Sequence, residues 1–407
     1  MKNIVKVATL LSLSAATLLA SGYRIPEQSL DSVALSAAYI AAANGADASY
    51  YNPANMSFME NGALMEAAFT YINLPKITYK DMASSLYSGD SKEEHFFVPT
   101  MHYVSPMMGD WRYGLSIVAP AGLSKRWDER FPKATAEEFT LKVIEVNPTA
   151  SYRVSDQFSL GFGLRGVYTD GIVKSDASGL GSPAKRNLTG DSIDFGYNLA
   201  LSYKPTKDLV LSSTYRSKVD LTVQGDATLV SGLYKGGASV TIPLPASLAL
   251  AAAYTMDKTT VELVFERTYW SSYKNLDFNY DVDLTATAMA AFDRHIPKNW
   301  KDANAYRIGV SHQYSDALKL MAGFAIDKTP VPSNTLGFEL PDSDAKLYSV
   351  GFEYKISQNM KMGLAYLYDD KDSRTVTNRS GTNTTAPYGT FTDASAHLVT
   401  ASLKYKF

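Results

Sequence analysis

The chain ends in the stretch His397-Leu398-Val399-Thr400-Ala401-Ser402-Leu403-Lys404-Tyr405-Lys406-Phe407. Within it, apolar and polar residues alternate strictly. The apolar positions are Val399, Ala401, Leu403, Tyr405 and Phe407, and the polar positions between them are Thr400, Ser402, Lys404 and Lys406. A period of two predicts a β-strand with one apolar and one polar face.

The same two-faced pattern recurs along the chain. Examples are Phe158, Leu160, Phe162 and Leu164; Leu320, Ala322, Phe324 and Ile326; and Leu209, Leu211, Tyr215, Val219, Leu221 and Val223, the last set opposite Arg216, Lys218, Asp220 and Thr222. Strands that are apolar on one face and polar on the other suit a wall between lipid and a polar lumen. Because unpaired backbone groups are costly in hydrocarbon, such a wall must close on itself. The pattern predicts an all-β transmembrane protein, an antiparallel up-and-down barrel.

Short and long connections alternate between the predicted strands. Tight turns are expected at residues 106–110, 154–157, 204–208, 256–259, 314–317 and 357–360, and longer polar loops near 81–92, 120–138, 172–190, 225–238, 275–302, 328–345 and 369–393. This alternation is typical of a barrel whose two rims differ. Six turns and seven loops predict about 14 strands.

The first twenty residues have the features of an export signal. Lys2 and Lys6 precede an apolar run over residues 7–19, and Ala20 is followed by the small residues Ser21 and Gly22. The run is too short for a membrane-spanning helix. We therefore expect a signal peptide at residues 1–20, with an uncleaved anchor as the alternative. No later stretch approaches 18 consecutive apolar residues, which excludes a helical membrane protein.

Charge and cysteine content exclude several classes of partner. The formal net charge is 39 − 41 = −2, and removal of residues 1–20 takes away two lysines, so it becomes 37 − 41 = −4. This near balance predicts no nucleic-acid partner. Without cysteine, neither a disulfide framework nor a thiolate metal site can form. We expect no cofactor and no metal, because the acidic loop residues Asp369, Asp370 and Asp372 are more simply solvated than bound to calcium.

Residues 21–60 lack the strand pattern and precede a barrel predicted for residues 61–407. Apolar residues recur at helical spacing from Leu30 to Ala41, with Ser29 or Asp31 placed to cap the helix and Asn44-Gly45 to end it. Asn52 directly before Pro53 predicts a rigid turn. We expect a compact helical plug, or hatch, inside the lumen; the alternative is a flexible tail.

Several motifs resemble the FadL/TodX (OMPP1) family of outer-membrane transporters for hydrophobic compounds. Asn52, Pro53 and Ala54 fall on the Asn-Pro-Ala motif of the hatch of that family. Further matches in the same order cover essentially the whole mature chain. They are Gly22-Tyr23-Arg24-Ile25-Pro26-Glu27-Gln28-Ser29, Val98-Pro99 with His102, Gly122-Leu123, Tyr215-Arg216-Ser217-Lys218-Val219, Trp270-Ser271, Tyr306-Arg307-Ile308-Gly309, Thr329-Pro330-Val331-Pro332 and Pro341-Asp342.

The resemblance implies uptake of long-chain fatty acids or aromatic hydrocarbons across the outer membrane of a Gram-negative cell. It also implies lateral exit through a break in the third strand, which falls here on Ala119, Pro120, Ala121 and Gly122. Proline cannot donate to a strand ladder and glycine weakens it, although an ordinary strand end is an equal alternative. The loop near residues 172–190 is short, which puts in doubt any capture groove built from that loop.

Two groups of residues are candidates for substrate capture, because each places cations beside aromatic rings. The candidates are Arg126, Trp127 and Phe131 in one loop, and Phe292, Lys298 and Trp300 in another. A carboxylate head group would pair with Arg126 or Lys298 while its tail lies on Trp127 or Trp300. The alternative is that these cations hold phosphates of lipopolysaccharide.

Two other function classes have less support. A lipase or protease needs a convergent nucleophile and base, but the five histidines are scattered and no Gly-x-Ser-x-Gly or His-Glu-x-x-His motif occurs, so we expect no catalytic residues. A general diffusion porin does not fit a plugged lumen. The expected partners are a hydrophobic ligand, outer-membrane lipid and lipopolysaccharide, and the barrel-assembly machinery, since a final strand ending in Phe407 resembles the terminal signal of outer-membrane barrels.

Overall fold

The computed structural model describes residues 22–284, 292–381 and 383–407, so the predicted signal peptide lies outside the described residues. Fourteen strands of the described part form the barrel. In chain order, β1–β14 are Leu64–Leu74, Glu94–Val104, Trp111–Val118 with Gly122–Arg126, Glu138–Arg153, Phe158–Asp176, Lys185–Tyr203, Leu209–Arg216 with Val219–Leu229, Tyr234–Leu244 with Ser247–Met256, Thr259–Thr268, Ala303–Gln313, Leu318–Asp327, Ala345–Lys355, Met360–Lys371 and Ser395–Lys406.

The sheet closes because β1 pairs with both β2 and the last strand, β14. Ala67 lies opposite Met101 on β2 and opposite Leu403 on β14, and both pairings are antiparallel. Each remaining strand pairs with its neighbours in sequence. The prediction of a closed antiparallel barrel of 14 strands is therefore confirmed. None of the helices in the described ranges is long and apolar enough to cross a membrane.

Burial alternates along the strands as the sequence predicted. On β5, Leu164 is 69% exposed, whereas its neighbour Arg165 is 2% exposed. Val399, Leu403 and Tyr405 on β14 are likewise exposed. Apolar side chains therefore face outward in this part of the wall, and charged side chains face the lumen.

The predicted apolar face of β7 is wrong in its second half. Leu211 faces outward, but Leu221 and Val223 are buried and face the lumen. Between the pairs Arg216–Asn198 and Gln224–Asp191, β7 advances by 224 − 216 = 8 residues and β6 by 198 − 191 = 7. One additional residue reverses the direction of every later side chain.

Several loops are shorter than the sequence suggested, because the strands continue beyond the predicted loop boundaries. β5 ends at Asp176 and β6 begins at Lys185, so their loop covers residues 177–184 rather than 172–190. Other loops carry secondary structure. The loop strands are Thr78–Asp81, Gly89–Asp90, Asn275–Leu276, Phe278–Tyr280, Ile296–Pro297, Arg374–Thr377 and Tyr388–Thr392, and the loop helices are Arg130–Ala136 and five short 3-10 turns, Ser85–Tyr87, Ser178–Leu180, Val230–Gly232, Trp270–Ser272 and Ser333–Thr335.

The N-terminal segment, residues 22–63, contains two short helices, Leu30–Ala34 and Ala48–Tyr51, and a 3-10 helix, Pro53–Phe58. Ser29 caps the first helix by accepting a hydrogen bond from the Ser32 amide at 3.3 Å. The helix is shorter than the spacing up to Ala41 predicted. Ser36 and Ala37 have φ values of 49° and 59°, a left-handed conformation that cannot continue a right-handed helix.

Contacts attach the N-terminal segment to inward-facing side chains on several sides of the barrel. The Glu262 carboxylate on β9 accepts hydrogen bonds from the amides of Ile40 and Ala41 at 2.7 and 2.6 Å. Asp31 forms ion pairs with Lys319 on β11 and Lys404 on β14. Asp31 is thus paired with cations of the wall, and Glu262 is satisfied by backbone amides of the segment, as burial of polar groups requires.

The Asn52-Pro53-Ala54 motif lies against β5 and β6. The Asn52 side chain donates to Ser202 Oγ at 2.9 Å, and the Ala54 carbonyl accepts from Ser159 Oγ at 2.7 Å. A Cβ atom on Gly161 would lie 2.4 Å from the Ala54 nitrogen, so glycine permits this approach. The stretch Gly161-Phe162-Gly163-Leu164-Arg165-Gly166 has the Gly-x-Gly-x-x-Gly spacing of dinucleotide-binding loops, but it lies inside β5 and packs on the motif. A dinucleotide site would need a helix directly after it.

Candidate ligand-binding pocket

An apolar pocket lies within the described residues on the luminal side of β3–β8. Its predominantly apolar lining is typical of small-molecule sites. Among the residues that form its wall are Leu123, Leu141, Leu188, Val223, Val240 and Phe278. Such a surface offers an apolar molecule an environment that a water-filled pore does not.

Two features of the strands create this pocket. The additional residue in β7 turns Val223 toward the lumen, where a regular strand would turn it toward lipid. Three glycines on neighbouring strands, Gly171, Gly190 and Gly225, leave the wall without side chains at this height. A Cβ atom on Gly171 would meet Val223 at an ordinary 3.6 Å, so the space beside Gly171 is part of the pocket and is not required for strand pairing.

Aromatic rings from the N-terminal segment and from the loop between β9 and β10 close one side of the pocket. The Tyr23 ring centroid lies 4.7 Å from that of Trp270 and 5.7 Å from that of Trp300. The Tyr23 hydroxyl donates to the Pro243 carbonyl at 2.6 Å. Gly22 packs so closely that a Cβ atom there would lie 2.8 Å from Trp300. The position of the N-terminal segment therefore determines the shape of the pocket.

One buried ion pair reaches the pocket. Lys298 and Glu339 both line it, and the Lys298 ammonium is hydrogen-bonded to the Glu339 carboxylate. The Lys298 side chain is 5% exposed. This cation already has an acidic partner, so a ligand carboxylate would have to share it with Glu339.

Arg186 is a second cation beside the pocket, and we find no carboxylate paired with it in the described ranges. Its guanidinium lies 4.8 Å from the Phe278 ring centroid and 5.8 Å from those of Phe139 and Phe292. The side chain is 6% exposed, and its Nε atom has no hydrogen-bond partner among the described residues. Residues 285–291, which are not described, contain no acidic residue. Arg186 therefore forms no salt bridge with a carboxylate among the described residues, although Glu339 and Tyr280 interact with it electrostatically.

Sequence reasoning missed Arg186 because it treated residues 172–190 as a loop. The alternation of inward and outward side chains could have identified this residue. Arg186 shares the inward face of β6 with Leu188, where an apolar lumen is expected to exclude an unpaired charge. With β6 extended to Lys185, this arginine would have been a candidate.

The structure brings only some of the predicted capture residues together. Lys298 and Trp300 line the pocket, and Phe292 packs beside Arg186. Trp127 and Phe131 do not line it. They are buried around Phe338, with the Trp127 indole donating to the Phe338 carbonyl at 2.9 Å.

Arg126 lies apart from Lys298. It forms an ion pair with Glu94 on β2, and its side chain is partly exposed. The two predicted groups therefore do not form a single capture site in this conformation, because Arg126 belongs to the wall between β2 and β3.

The wall is interrupted in β3, between Val118 and Gly122. β2 pairs with β3 only over residues 101–104, so its residues 94–100 have no ladder partner on β3 among the described residues. The N-terminal segment occupies the interruption. The Ile25 amide donates to the Pro120 carbonyl at 2.9 Å, and the Gly122 amide donates to the Tyr23 carbonyl at 2.9 Å. Ala119, Pro120 and Ala121 are buried.

Comparisons with known proteins agree with this architecture. The Outer membrane protein P1 of Haemophilus influenzae is 25% identical over 355 residues, covering 76% of this chain and 75% of the relative. The Long-chain fatty acid transport protein of Escherichia coli strain K12 is 23% identical, covering 67% of this chain and 70% of the relative.

Solved structures share the fold. A Pseudomonas aeruginosa FadL homologue superposes with a TM-score of 0.84 at 20% identity, covering 95% of this chain and 100% of the homologue. The Pseudomonas putida toluene transporter TodX superposes with a TM-score of 0.68 at 20% identity, covering 89% and 94%.

A family match extends over nearly the whole sequence. Residues 11–407 match the family described as Outer membrane protein transport protein (OMPP1/FadL/TodX). This is a family of transporters and not of enzymes, and it places the barrel in the outer membrane. The chain is a member of the OMPP1/FadL/TodX family of outer membrane transport proteins.

Proposed function

We propose that this protein takes up hydrophobic small molecules, long-chain fatty acids or aromatic hydrocarbons, through the apolar pocket inside its barrel. The observation that carries the proposal is the pocket itself, which is lined by apolar side chains within a membrane-spanning wall. Its similarity to known proteins supports it, since one relative is named a long-chain fatty acid transport protein and a structural neighbour is a toluene transporter.

The energetics of such a pocket require a means of release. Burial contributes about 0.8 kcal/mol per methylene, so a tail of about 15 methylenes would gain roughly 12 kcal/mol in a fully apolar tunnel. That affinity is too high for transport unless the pocket changes shape or opens into lipid. We infer that the N-terminal segment provides this change, because Tyr23 closes one side of the pocket and the same segment occupies the interruption in β3.

The proposed exit is the interruption in β3. Movement of residues 23–28 would remove the hydrogen bonds to Pro120 and Gly122 and open a path from Leu123, which lines the pocket, toward lipid. Residues 94–100 of β2 form no ladder with β3 among the described residues, so no backbone pairing between these strands opposes the opening. We therefore propose that the N-terminal segment acts as the plug that controls passage.

The charges beside the pocket favour an acidic ligand over a neutral one for tight binding. Arg186 and Lys298 contribute two cations, and Glu339 contributes one carboxylate. A buried cation without a carboxylate partner is unfavourable, and a ligand carboxylate would supply that partner through charge-assisted hydrogen bonds. Long-chain fatty acids are therefore the first candidate substrate class.

Uptake of radiolabelled oleate by cells that lack their own transporter tests the proposal. The variant Pro120→Val with Gly122→Thr should restore a regular strand and reduce oleate uptake, while Gly166→Thr, on β5 and away from the interruption, should retain it. A Cβ atom on Gly166 has no neighbour closer than 3.8 Å. Undiminished oleate uptake by the β3 variant would remove lateral exit at this place from the proposal.

Three further measurements address the alternatives and the partners. Ion conductance in planar bilayers separates this proposal from a diffusion porin, because a large and steady conductance would contradict an occluded lumen. Lipopolysaccharide binding at Arg126 and recognition of the final strand ending in Phe407 by the barrel-assembly machinery stay proposals. Binding of lipopolysaccharide to Arg126→Ala protein and assembly of a Phe407→Ala protein measure them.

A further inference from the structure

The Lys298–Glu339 ion pair joins two external loops at the wall of the pocket. Lys298 lies in the loop between β9 and β10, and Glu339 lies in the loop between β11 and β12. Both side chains line the pocket, whereas Arg186 is not among its lining residues. An acidic ligand that enters the pocket therefore meets Lys298 directly and finds its ammonium already bound by the Glu339 carboxylate.

The main chain is anchored on both sides of this ion pair. The Thr335 hydroxyl donates to the Lys298 carbonyl at 2.6 Å. Glu339 lies between Phe338 and Leu340, which are 1% and 4% exposed. Because the backbone is fixed at both residues, separation of the pair requires only rotation of side chains and no movement of a loop.

Glu339 is the more accessible partner of the pair. Its side chain is 19% exposed, and that of Lys298 is 5% exposed. The carboxylate folds back over Gly337, where a Cβ atom would lie 2.7 Å from the Glu339 Cδ atom and 2.8 Å from its Oε1 atom. The φ angle of Gly337 is not positive, so an alanine at this position fits the backbone and meets only the end of this flexible side chain. Glycine at this position therefore leaves the space in which the carboxylate reaches Lys298.

Glu339 faces a second cation as well. It interacts electrostatically with Arg186, which forms no salt bridge with a carboxylate among the described residues. A Glu339 carboxylate that leaves Lys298 is therefore still attracted by a cation, which reduces the cost of separating a buried ion pair. With a ligand carboxylate on Lys298, two cations face two carboxylates.

The Lys298 ammonium is a poor site for two carboxylates at once. If a ligand shared it with Glu339, two like charges would lie side by side in a mostly buried place, which is unfavourable. An uncharged ligand meets no such competition. Glu339 in its present position therefore lowers the affinity of the pocket for acids and has little effect on its affinity for neutral molecules.

We propose that Glu339 is a built-in competitor for the carboxylate of an acidic ligand: it binds Lys298 in the empty pocket, yields when a fatty acid enters, and regains Lys298 as the acid leaves. The inference rests on the proposed function and deepens it, because it adds a means of release. Burial of the tail alone would hold the ligand too tightly for transport. A carboxylate that competes for the cation lowers that affinity without any change in the apolar wall.

Three variants of the full-length protein test the competition. Glu339→Gln removes the competing charge and keeps the size of the side chain. Gly337→Ala keeps Glu339 but introduces a methyl group where its carboxylate now lies. Asp344→Asn is the matched control, because it makes the same change of charge in the same loop, and Asp344 pairs with the exposed Lys328 and does not line the pocket.

Isothermal titration calorimetry in detergent compares oleate with methyl oleate, which has the same tail without the charge. Glu339→Gln should bind oleate about 10-fold more tightly, and Gly337→Ala, which weakens the ion pair without removing it, at least about threefold more tightly. Affinity for methyl oleate should change less than about twofold in both variants. Asp344→Asn should change neither affinity.

Uptake by cells provides a second measurement, which separates competition from a purely structural role. With Glu339→Gln, the maximal rate of oleate uptake should fall because the acid leaves more slowly, while toluene uptake should not change. An undiminished maximal rate despite tighter binding overturns the role in release.

Other outcomes distinguish failure of this inference from failure of the proposed function. Oleate binding that is unchanged or weaker in both Glu339→Gln and Gly337→Ala overturns the competition, and so does equal tightening for oleate and methyl oleate; both leave the proposed function intact. An unsubstituted protein that takes up toluene but not oleate also overturns this inference alone. Failure to take up either compound overturns the proposed function and this inference together.

Discussion

The carbonyl oxygen of Ala54 accepts a hydrogen bond from the Ser159 hydroxyl at 2.7 Å, directly beside Gly161. Ser151 donates to the same carbonyl at 3.1 Å. The Asn-Pro-Ala motif is thus held on two neighbouring strands by its backbone, and the approach depends on the missing side chain at Gly161. A change at Gly161 therefore acts on the N-terminal segment without altering the motif itself.

Gly161→Ala should loosen the N-terminal segment. The new methyl group would lie 2.4 Å from the Ala54 nitrogen, and such overpacking costs about 1–3 kcal/mol. We expect a higher ion conductance in planar bilayers, because the segment would be displaced from β5. Gly166→Ala on the same strand is the control, since its nearest neighbour would be 3.8 Å away. Equal conductance for the two variants would show that the segment does not depend on this contact.

Arg186→Gln should distinguish acids from neutral ligands. Hydrogen bonds to charged groups contribute about 1.5–3 kcal/mol, so loss of the guanidinium should weaken oleate binding by about 10-fold or more. Binding of methyl oleate, which has the same tail, should change little. Isothermal titration calorimetry of the purified protein in detergent measures both. A parallel loss of affinity for the ester would assign Arg186 a packing role with Phe278.

Gly171→Val should reduce the space of the pocket. A Cβ atom at this position meets only Val223 at 3.6 Å and backbone oxygens at 4.0 Å, so the valine side chain should occupy pocket volume without breaking the wall. Each methylene excluded from the pocket costs about 0.8 kcal/mol, roughly a fourfold loss of affinity. Longer ligands should lose more than shorter ones in a series of fatty acids. Affinities that fall equally for every chain length would contradict this location of the tail.

Acid should loosen the external loops. Burial alone would raise the pKa of Asp81, but hydrogen bonds from Arg379, Tyr79 and the Ala83 amide lower it overall. A carboxyl whose folded pKa is depressed stabilises the fold above its unfolded pKa, about 3.9, and this stability is lost as the pH falls through the folded pKa. Proteolysis of residues 372–394 should therefore be faster near pH 3 than at pH 7. Asp81→Asn should reduce this difference, and an undiminished difference would assign the loosening to other groups.

Much of the barrel followed from the sequence because lipid imposes a strict period of two on its wall. The apolar faces of β5, β11 and β14 and the six tight turns were predicted on that basis. β7 was the exception. Its additional residue near Ser217 depends on how β7 pairs with β6, which the period of β7 alone does not reveal.

The pocket was less accessible to sequence reasoning because it joins strands that are far apart in the chain. Lys298 and Trp300 were predicted from a local pairing of charge and ring, and both line the pocket. Trp127 matches the same local pattern but packs against Phe338 and does not line the pocket. Arg186 had no such local pattern. Its burial without a salt bridge is a property of the assembled wall.

Quenching of tryptophan fluorescence by a brominated fatty acid tests the central claim most directly. In a Trp111→Phe, Trp127→Phe variant, the remaining indoles are Trp270 and Trp300, whose rings lie 4.8 Å apart beside the pocket. Saturable quenching by dibromostearate, competed by oleate and weakened by Gly171→Val, is the predicted result. Binding of oleate without quenching of these tryptophans would place the ligand elsewhere and contradict the account.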